Sequence, residues 1–289
     1  MSSIKYFLVS VVLLTLSIIQ IPAQVLFSDG FESYTAGAAP LDKNYASGAN
    51  AAPNGSGNPW FGPAPPNARV VSTGDGGVTA HSGTQMIRAS APSDFDQNWY
   101  NLSYRLNSGS AYAGSIAYDW WFYDPLGSGG ANFRDYAALG FYNTAPGNTD
   151  YPGTGSLNSS TQIQRLSLGA STPSGYDSTK YQARVVGATD GLAAGWVNLS
   201  VTRSVGWHEG KIVVDNANNV SFYIDDMTNP VLTHSAVSIW GFNVLELNTG
   251  NGPTTGYFDD VSFSMIPEPG SAALLLCGGL TWLALRRRK

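Results

Sequence analysis

Trp207-His208-Glu209-Gly210-Lys211-Ile212-Val213-Val214, then Asp215-Asn216-Ala217-Asn218-Asn219, then Val220-Ser221-Phe222-Tyr223-Ile224 is the best-defined stretch of this 289-residue chain. Two β-rich runs flanking a five-residue turn of Asp, Ala and Asn read as a β-hairpin. Upstream, Ala113 to Asp124 (AGSIAYDWWFYD) is the most aromatic strand candidate. It puts Ile116, Tyr118, Trp120 and Phe122 on one face and Ala117, Asp119, Trp121 and Tyr123 on the other. Further strands are expected at Gln85 to Ala89, Trp99 to Leu106, Arg134 to Tyr142, Gln162 to Leu168, Tyr181 to Val186, Trp196 to Val201, Ala236 to Leu245 and Tyr257 to Phe263, with Gly, Pro, Asn and Ser turns among them. Val25 to Tyr34 reads as extended, with Val25, Phe27, Asp29 and Phe31 on one face. Thr35 to Thr84 shows loop chemistry throughout, and Trp60 and Phe61 inside it read as pins fastening the loop or as a ligand-facing platform. No apolar stripe of helical period interrupts this pattern, so the expected fold is all-β, a two-sheet antiparallel sandwich.

The ends differ in kind from the middle. Lys5, the apolar run Tyr6 to Ile21 and the small residue of Pro22-Ala23 have the layout of a signal peptide, assigned to residues 1–23. Residues 24–264 are assigned to the sandwich domain. In residues 265–289, the rigid polar Pro267-Glu268-Pro269-Gly270 is followed by an uncharged run from Ser271 to Leu285, and Arg286, Arg287, Arg288 and Lys289 close the chain. Fifteen helical residues reach about 22 Å, short of the roughly 30 Å of a bilayer core, so this hydrophobic helix spans only with snorkelling cations or local thinning.

That tail resembles the bacterial PEP-CTERM sorting tail in the order and spacing of Pro267-Glu268-Pro269, Leu274 to Leu285 and Arg286 to Arg288. The resemblance implies an exosortase-like membrane sorting enzyme as partner, anchoring in the membrane before the tail is removed, and delivery to the cell surface or an exopolysaccharide matrix. It covers under a tenth of the chain.

Charge is scarce in the middle. Without Lys5, Glu268 and the four terminal cations, 19 acidic residues face 10 basic ones, a net charge of −9, which repels nucleic acid. The single cysteine, Cys277, lies in the hydrophobic tail, so the domain has no disulfide and no thiolate chemistry.

The Trp207-led strand and the hairpin into Val220-Ser221-Phe222-Tyr223-Ile224-Asp225 resemble laminin-G or concanavalin-like jelly rolls. The opening Asp29-Gly30-Phe31-Glu32-Ser33-Tyr34 and closing Tyr257-Phe258-Asp259-Asp260-Val261 are similar to such modules and to galactose-binding-like ones, which remain the alternative. In these modules the first and last strands are often neighbours. Such pairing would point Asp29 and Asp259 inward together, and two buried carboxylates need donors or a cation between them. The expectations are a structural Ca²⁺ at Asp29, Glu32 or Asp259, or carboxylates that cap turns by accepting backbone N–H bonds.

The chain holds only four glutamates, Glu32, Glu209, Glu246 and Glu268, and lacks the Glu-x-Asp-x-x-Glu pattern of jelly-roll glucanases. Glu209 beside His208 is an acid/base candidate on paper, but neighbouring strand residues face opposite ways. Binding is favoured over catalysis. Sugar rings stack on aromatics while polar side chains catch hydroxyls, and Trp99, Trp121, Tyr123, Trp196 and Trp240 are the candidate platform. The expected function is a non-catalytic, carbohydrate-binding sandwich exported to the cell surface or matrix. The alternatives are a structural matrix or adhesion protein and a polysaccharide-degrading enzyme. A lectin-like module requires two or more solvent-facing aromatics on one concave face, an enzyme a carboxylate pair in that groove, and a structural protein neither.

Overall fold

The hairpin forms where the turn chemistry puts it. β11 (Gly206–Val214) pairs with β12 (Val220–Ile224) in the register Val214↔Val220 to Gly210↔Ile224. The Asp215 carboxylate accepts the Asn219 N–H at 2.8 Å and its side-chain amide at 2.7 Å, and Asn218 takes the left-handed φ of 63° that closes the turn. A computed structural model describes residues 23–37, 60–61, 69–89, 96–101, 114–129, 134–142, 162–171, 176–186, 195–234, 241–250 and 255–266.

The remaining described strands are β1 (Gln24–Asp29), β2 (Trp60–Phe61), β3 (Arg69–Ser72), β4 (Gln85–Ala89), β5 (Asp96–Asn101), β6 (Ile116–Asp124), β7 (Arg134–Tyr142), β8 (Gln162–Ser171), β9 (Lys180–Val186), β10 (Trp196–Thr202), β13 (Leu232–His234), β14 (Val244–Gly250) and β15 (Gly256–Met265). They build an eight-stranded sheet, β13-β12-β11-β6-β15-β4-β3 with β1 also on β15, and a seven-stranded sheet, β10-β9-β8-β7-β14-β5-β2. The architecture is an antiparallel two-sheet sandwich of the jelly-roll kind, the fold class expected from the sequence.

The core lies between the sheets. Ile116, Tyr118, Trp120 and Phe122 of β6, with Ile212, Val214, Phe222, Phe258 and Phe263, face Ala137, Leu139, Leu166, Leu168, Leu245 and Leu247. The Tyr118 hydroxyl crosses the gap to donate to the Glu246 carbonyl at 3.2 Å. At one end Arg203, just after β10, grips Asp124 at the end of β6 through two bonds of 2.8 and 2.9 Å and donates to the Ser178 carbonyl at 3.0 Å. Both side chains are fully buried, so this fork ties the sheets together where the apolar filling ends.

Several expectations need correction. The stretch Thr35 to Thr84 is not without regular structure, since it contains β2 and β3, and Trp60 is fully buried and donates to Asp29 at 2.7 Å, which makes it a pin. The first extended segment stops at Asp29, because Phe31 turns the chain with φ 60° before entering the core. β5 begins three residues before Trp99, and β14 occupies Val244–Gly250 rather than Ala236 to Leu245. The short β13 had no strand signal of its own. The tail from Pro267 onward, with Pro267, Glu268, Pro269 and Arg286 to Arg288, and the segment 1–22 lie outside the described residues.

Candidate functional site

The candidate residues divide between the two outward faces. Trp121 and Tyr123 lie on the outward face of β6, in the eight-stranded sheet. Trp196 lies on the outward face of the seven-stranded sheet, opposite Arg184. Trp99 is opposite Glu246 in the β5–β14 register, its side chain outside the described residues, as is Trp240 altogether.

On the eight-stranded sheet the connection between β3 and β4 folds back over the outward face. Val78 and Ala80 of that connection pack with Val71, Met86 and Tyr257 into a small satellite core, and Tyr123 and Trp207 border it. The His81 ring stacks on Trp121, with centroids 3.6 Å apart and planes 14° apart, and its Nδ1 lies 2.7 Å from an Asp260 oxygen. Trp207 donates its ring N–H to the Thr79 carbonyl at 2.7 Å, and the Tyr257 hydroxyl donates to Asp75 at 3.2 Å. These aromatics therefore hold a connection in place. One face of Trp121 is already occupied.

A bulge between Asp259 and Ser262, where Asp260 adopts φ 45°, also changes which way β15 faces. Tyr257 and Asp259 pair with Tyr123 and Trp121 on the outward face, whereas Val261 and Phe263 enter the core. Asp259 consequently does not share the inward row of Val261 and Phe263 expected from strict alternation. β1 does pair with β15, as expected, with Asp29 opposite Val261. The Asp29 carboxylate accepts the Phe31 N–H, the Tyr34 hydroxyl and the Trp60 ring N–H at 2.7 to 2.8 Å. Glu32 accepts from the Thr84 N–H and hydroxyl and the Gln85 N–H, and these bonds, the Thr84 N–H foremost, hold its pKa below the usual value. Asp259 accepts the Ser82 and Asp260 N–H groups at 3.2 and 2.9 Å. The three carboxylates thus have separate sets of donors, and the described residues contain no group of three His, Cys, Asp or Glu arranged to hold a metal.

Glu209 and Asp259 flank Trp121 on the two strands beside β6, roughly 10 Å apart at the backbone from the strand spacing. Burial raises the pKa of both, Asp259 to about 7, despite the N–H bonds from Ser82 and Asp260. Yet Asp259 is fully buried, with both oxygens taken, so the two do not form an open acid/base pair.

The outward face of the seven-stranded sheet is different. Ala137, Leu139, Leu166, Leu168, Leu245 and Leu247 point into the core, which turns Tyr136, Ala138 and Gly140, then Arg165, Ser167 and Gly169, then Glu246 and Asn248 outward. Arg165 of β8 forms an ion pair with Glu246 of β14 although β7 lies between them. The bridge passes over Gly140 and Ala138, whose small size leaves the floor low enough for it. Asn248 donates to the same Glu246 oxygen at 3.1 Å. The Arg165 guanidinium carbon lies 5.4 Å from the Tyr136 ring centroid, and Trp196 meets that ring edge to face at 4.8 Å. Burial raises the Tyr136 pKa, with Arg165 opposing it. Gly169 (φ 146°) is required here, because a Cβ would stand 2.7 Å from the Tyr136 Cα.

Arg165, Ser167, Glu246 and Asn248 are buried, although they point away from the core. Within this network the Ser167 hydroxyl and the Asn248 side-chain carbonyl have no hydrogen-bond partner. Buried polar atoms left in that condition cost about 1–3 kcal/mol each. Among the described residues this face presents one carboxylate, Glu246, which Arg165 already engages. Sequence reading counted Glu246 without giving it a role and missed Arg165, Tyr136 and Asn248. The available signal was a charge in mid-strand on the polar side of QIQRLSLGAS and of VLELNTG.

No family model matches the chain, and no curated protein matches it. Among solved structures it is similar to a sialidase at 11% identity and TM-score 0.45, covering 85% of this chain and 19% of the sialidase, so the chain spans about a fifth of that protein's length. It is also similar to a carbohydrate esterase of the Shiga toxin-encoding bacteriophage phi24B (15% identity, TM-score 0.48, 85% of this chain and 100% of the other). The carbohydrate recognition domain of Emp47p is a third (11% identity, TM-score 0.46, 72% and 89%). At these TM-scores the likenesses decide nothing about what this chain binds.

Proposed function

We propose that the chain is a non-catalytic carbohydrate-binding sandwich whose ligand lies on the outward face of the seven-stranded sheet. The observation that carries this reading is the half-buried Trp196 indole on that outward face, edge to face with Tyr136 and opposite Arg184 in the β9–β10 register. The half-buried Trp196 ring supplies the apolar surface that a pyranose face needs. The Trp121 side is the poorer choice because His81 stacks on that indole.

The ends of the sequence support export, with the Pro267-Glu268-Pro269 tail read by a membrane sorting enzyme and the domain displayed at the cell surface or in an exopolysaccharide matrix. A structural Ca²⁺ remains part of the proposal, at Asp29, Glu32 or Asp259. The test is a binding screen of the purified full-length protein against neutral and acidic polysaccharides, with Ca²⁺ and with chelator. Binding without product release that weakens at least tenfold in Trp196→Ala supports the reading. A folded protein that binds no polysaccharide sinks it and leaves the structural matrix role.

A further inference from the structure

Between β10 and β11 the chain crosses from the seven-stranded sheet to the eight-stranded one through Arg203, Ser204 and Val205. His208 of β11 lies on the core side of this crossing, buried against the Phe122 and Tyr181 rings, with centroids 5.8 and 5.3 Å away. Its Nδ1 is 2.8 Å from an oxygen of Asp225, just past β12, and its Nε2 is 2.9 Å from the Ser204 backbone carbonyl. A carboxylate and a carbonyl have no hydrogen to give, so the ring must donate at both nitrogens, which only the imidazolium does. The Ser204 hydroxyl stands 3.3 Å from the same Nε2, and serine, histidine and aspartate in this order are the residue types of a nucleophilic relay. A relay needs that nitrogen bare, however, whereas the Ser204 carbonyl needs it protonated.

We infer that His208 is a proton-operated latch, which while charged holds the β10–β11 crossing against the end of β12 and releases it when the proton leaves. A neutral ring has one N–H for two acceptors. If it keeps the bond to Asp225, its Nε2 lone pair faces the Ser204 carbonyl, and the Ser204 hydroxyl donates to that nitrogen instead. The bond then passes from the main chain to a rotating side chain and no longer holds the crossing. Facing the ring are Asp225 past β12, Asp124 at the end of β6, Tyr181 of β9 and Arg203 of the crossing, which grips Asp124. Glu209 donates its N–H to the other Asp225 oxygen at 3.1 Å, with its side chain on the outward face. The Asp225 side chain is 48% exposed, which gives the proton a route to solvent. Burial by itself lowers the His208 pKa, but the bonds to Asp225 and Ser204 and the charges of Asp225 and Asp124 outweigh it and raise the value above 6.5. The folded ring thus holds its proton more tightly than the unfolded chain, so the latch is fully set below about pH 6.5 and is lost as the pH rises through the folded value.

The experiment is nitrogen NMR of the imidazole rings of the full-length protein from about pH 5 to about pH 9, with amide hydrogen exchange over the same range. The His208 ring is identified by its cross-peaks to the Phe122 and Tyr181 rings. Protons on both of its nitrogens at about pH 7 and a midpoint above 6.5 are expected. Protection of the Arg203 and Asp225 N–H groups, bonded to the Thr179 and Glu209 carbonyls, should fall several-fold across that midpoint once the intrinsic pH dependence of exchange is removed. Asp225→Asn, which suits the left-handed φ of 60° at this position, should lower the midpoint by about one pH unit or more and carry the fall in protection with it. A midpoint at or below 6.5 overturns the inference, and so does one that Asp225→Asn leaves in place. Protection that stays level across the midpoint overturns it as well, because the charge on the ring would then hold nothing.

Discussion

Replacing Asp259 by asparagine tests the pH logic of the connection folded over the eight-stranded sheet. Asp259 is fully buried beneath that connection, and burial is the largest influence on it, outweighing the N–H bonds from Ser82 and Asp260 and leaving its pKa at about 7 against an ordinary value of 3.8. Because the folded state holds this proton more tightly than the unfolded chain, the group's stabilising contribution is complete below about pH 4. It is lost as the pH rises towards 7. A shift of about three units at roughly 1.4 kcal/mol per unit corresponds to a loss of about 4 kcal/mol across that interval. The substituted amide imitates the protonated carboxyl and cannot titrate. Urea unfolding of both proteins from about pH 4 to pH 8 should therefore show the parent losing about 4 kcal/mol relative to the Asp259→Asn variant. His208, Glu209 and Asp119, whose pKa values are also raised, titrate in both proteins and cancel in the difference. Two stability curves that run parallel over this range would refute the reasoning.

Two further substitutions probe the scaffold. Arg203→Ala removes the fork that joins the sheets and strands the Asp124 carboxylate in the interior, with an expected loss of about 3–5 kcal/mol in chemical denaturation. Replacing both partners by leucine should recover most of that loss, because neither charge of that pair is then left buried alone. Gly210→Ala puts a methyl group 2.6 Å from the Trp120 ring, an overpacking expected to cost about 1–3 kcal/mol and to alter tryptophan fluorescence. An unchanged midpoint and spectrum would show that Trp120 has room to move.

Alternation was readable where Ile and aromatic residues recur at every second position, as in β6, where the expected core face of Ile116, Tyr118, Trp120 and Phe122 is fully buried. The sheet to which a strand belongs was not readable. Period two tells which residues share a face, not which strands become neighbours, so Trp121 and Trp196 looked like one platform and lie on opposite sides of the sandwich. The Arg165–Glu246 pair was hidden for the same reason, since its members stand 81 residues apart on strands that do not touch. YFDDVSF carries no sign of the bulge, because the extra residue is an aspartate like its neighbour and only the left-handed turn at Asp260 distinguishes them. β2 and β3 escaped because two and four residues among glycines and prolines are too short to establish a period.

The position of β15 bears on how the chain is made. It is the last described strand in sequence, yet it is interior to its sheet, paired with β6 along one edge and with β4 and then β1 along the other. A growing chain therefore emerges with a gap in the middle of that sheet until residues 256–265 arrive. Until then the facing edges of β6 and β4 are open templates for strands of other molecules. A chain cut short before Gly256 should accordingly collect in aggregates rather than persist as a smaller sandwich, because the sheet closes only once residues 256–265 have emerged.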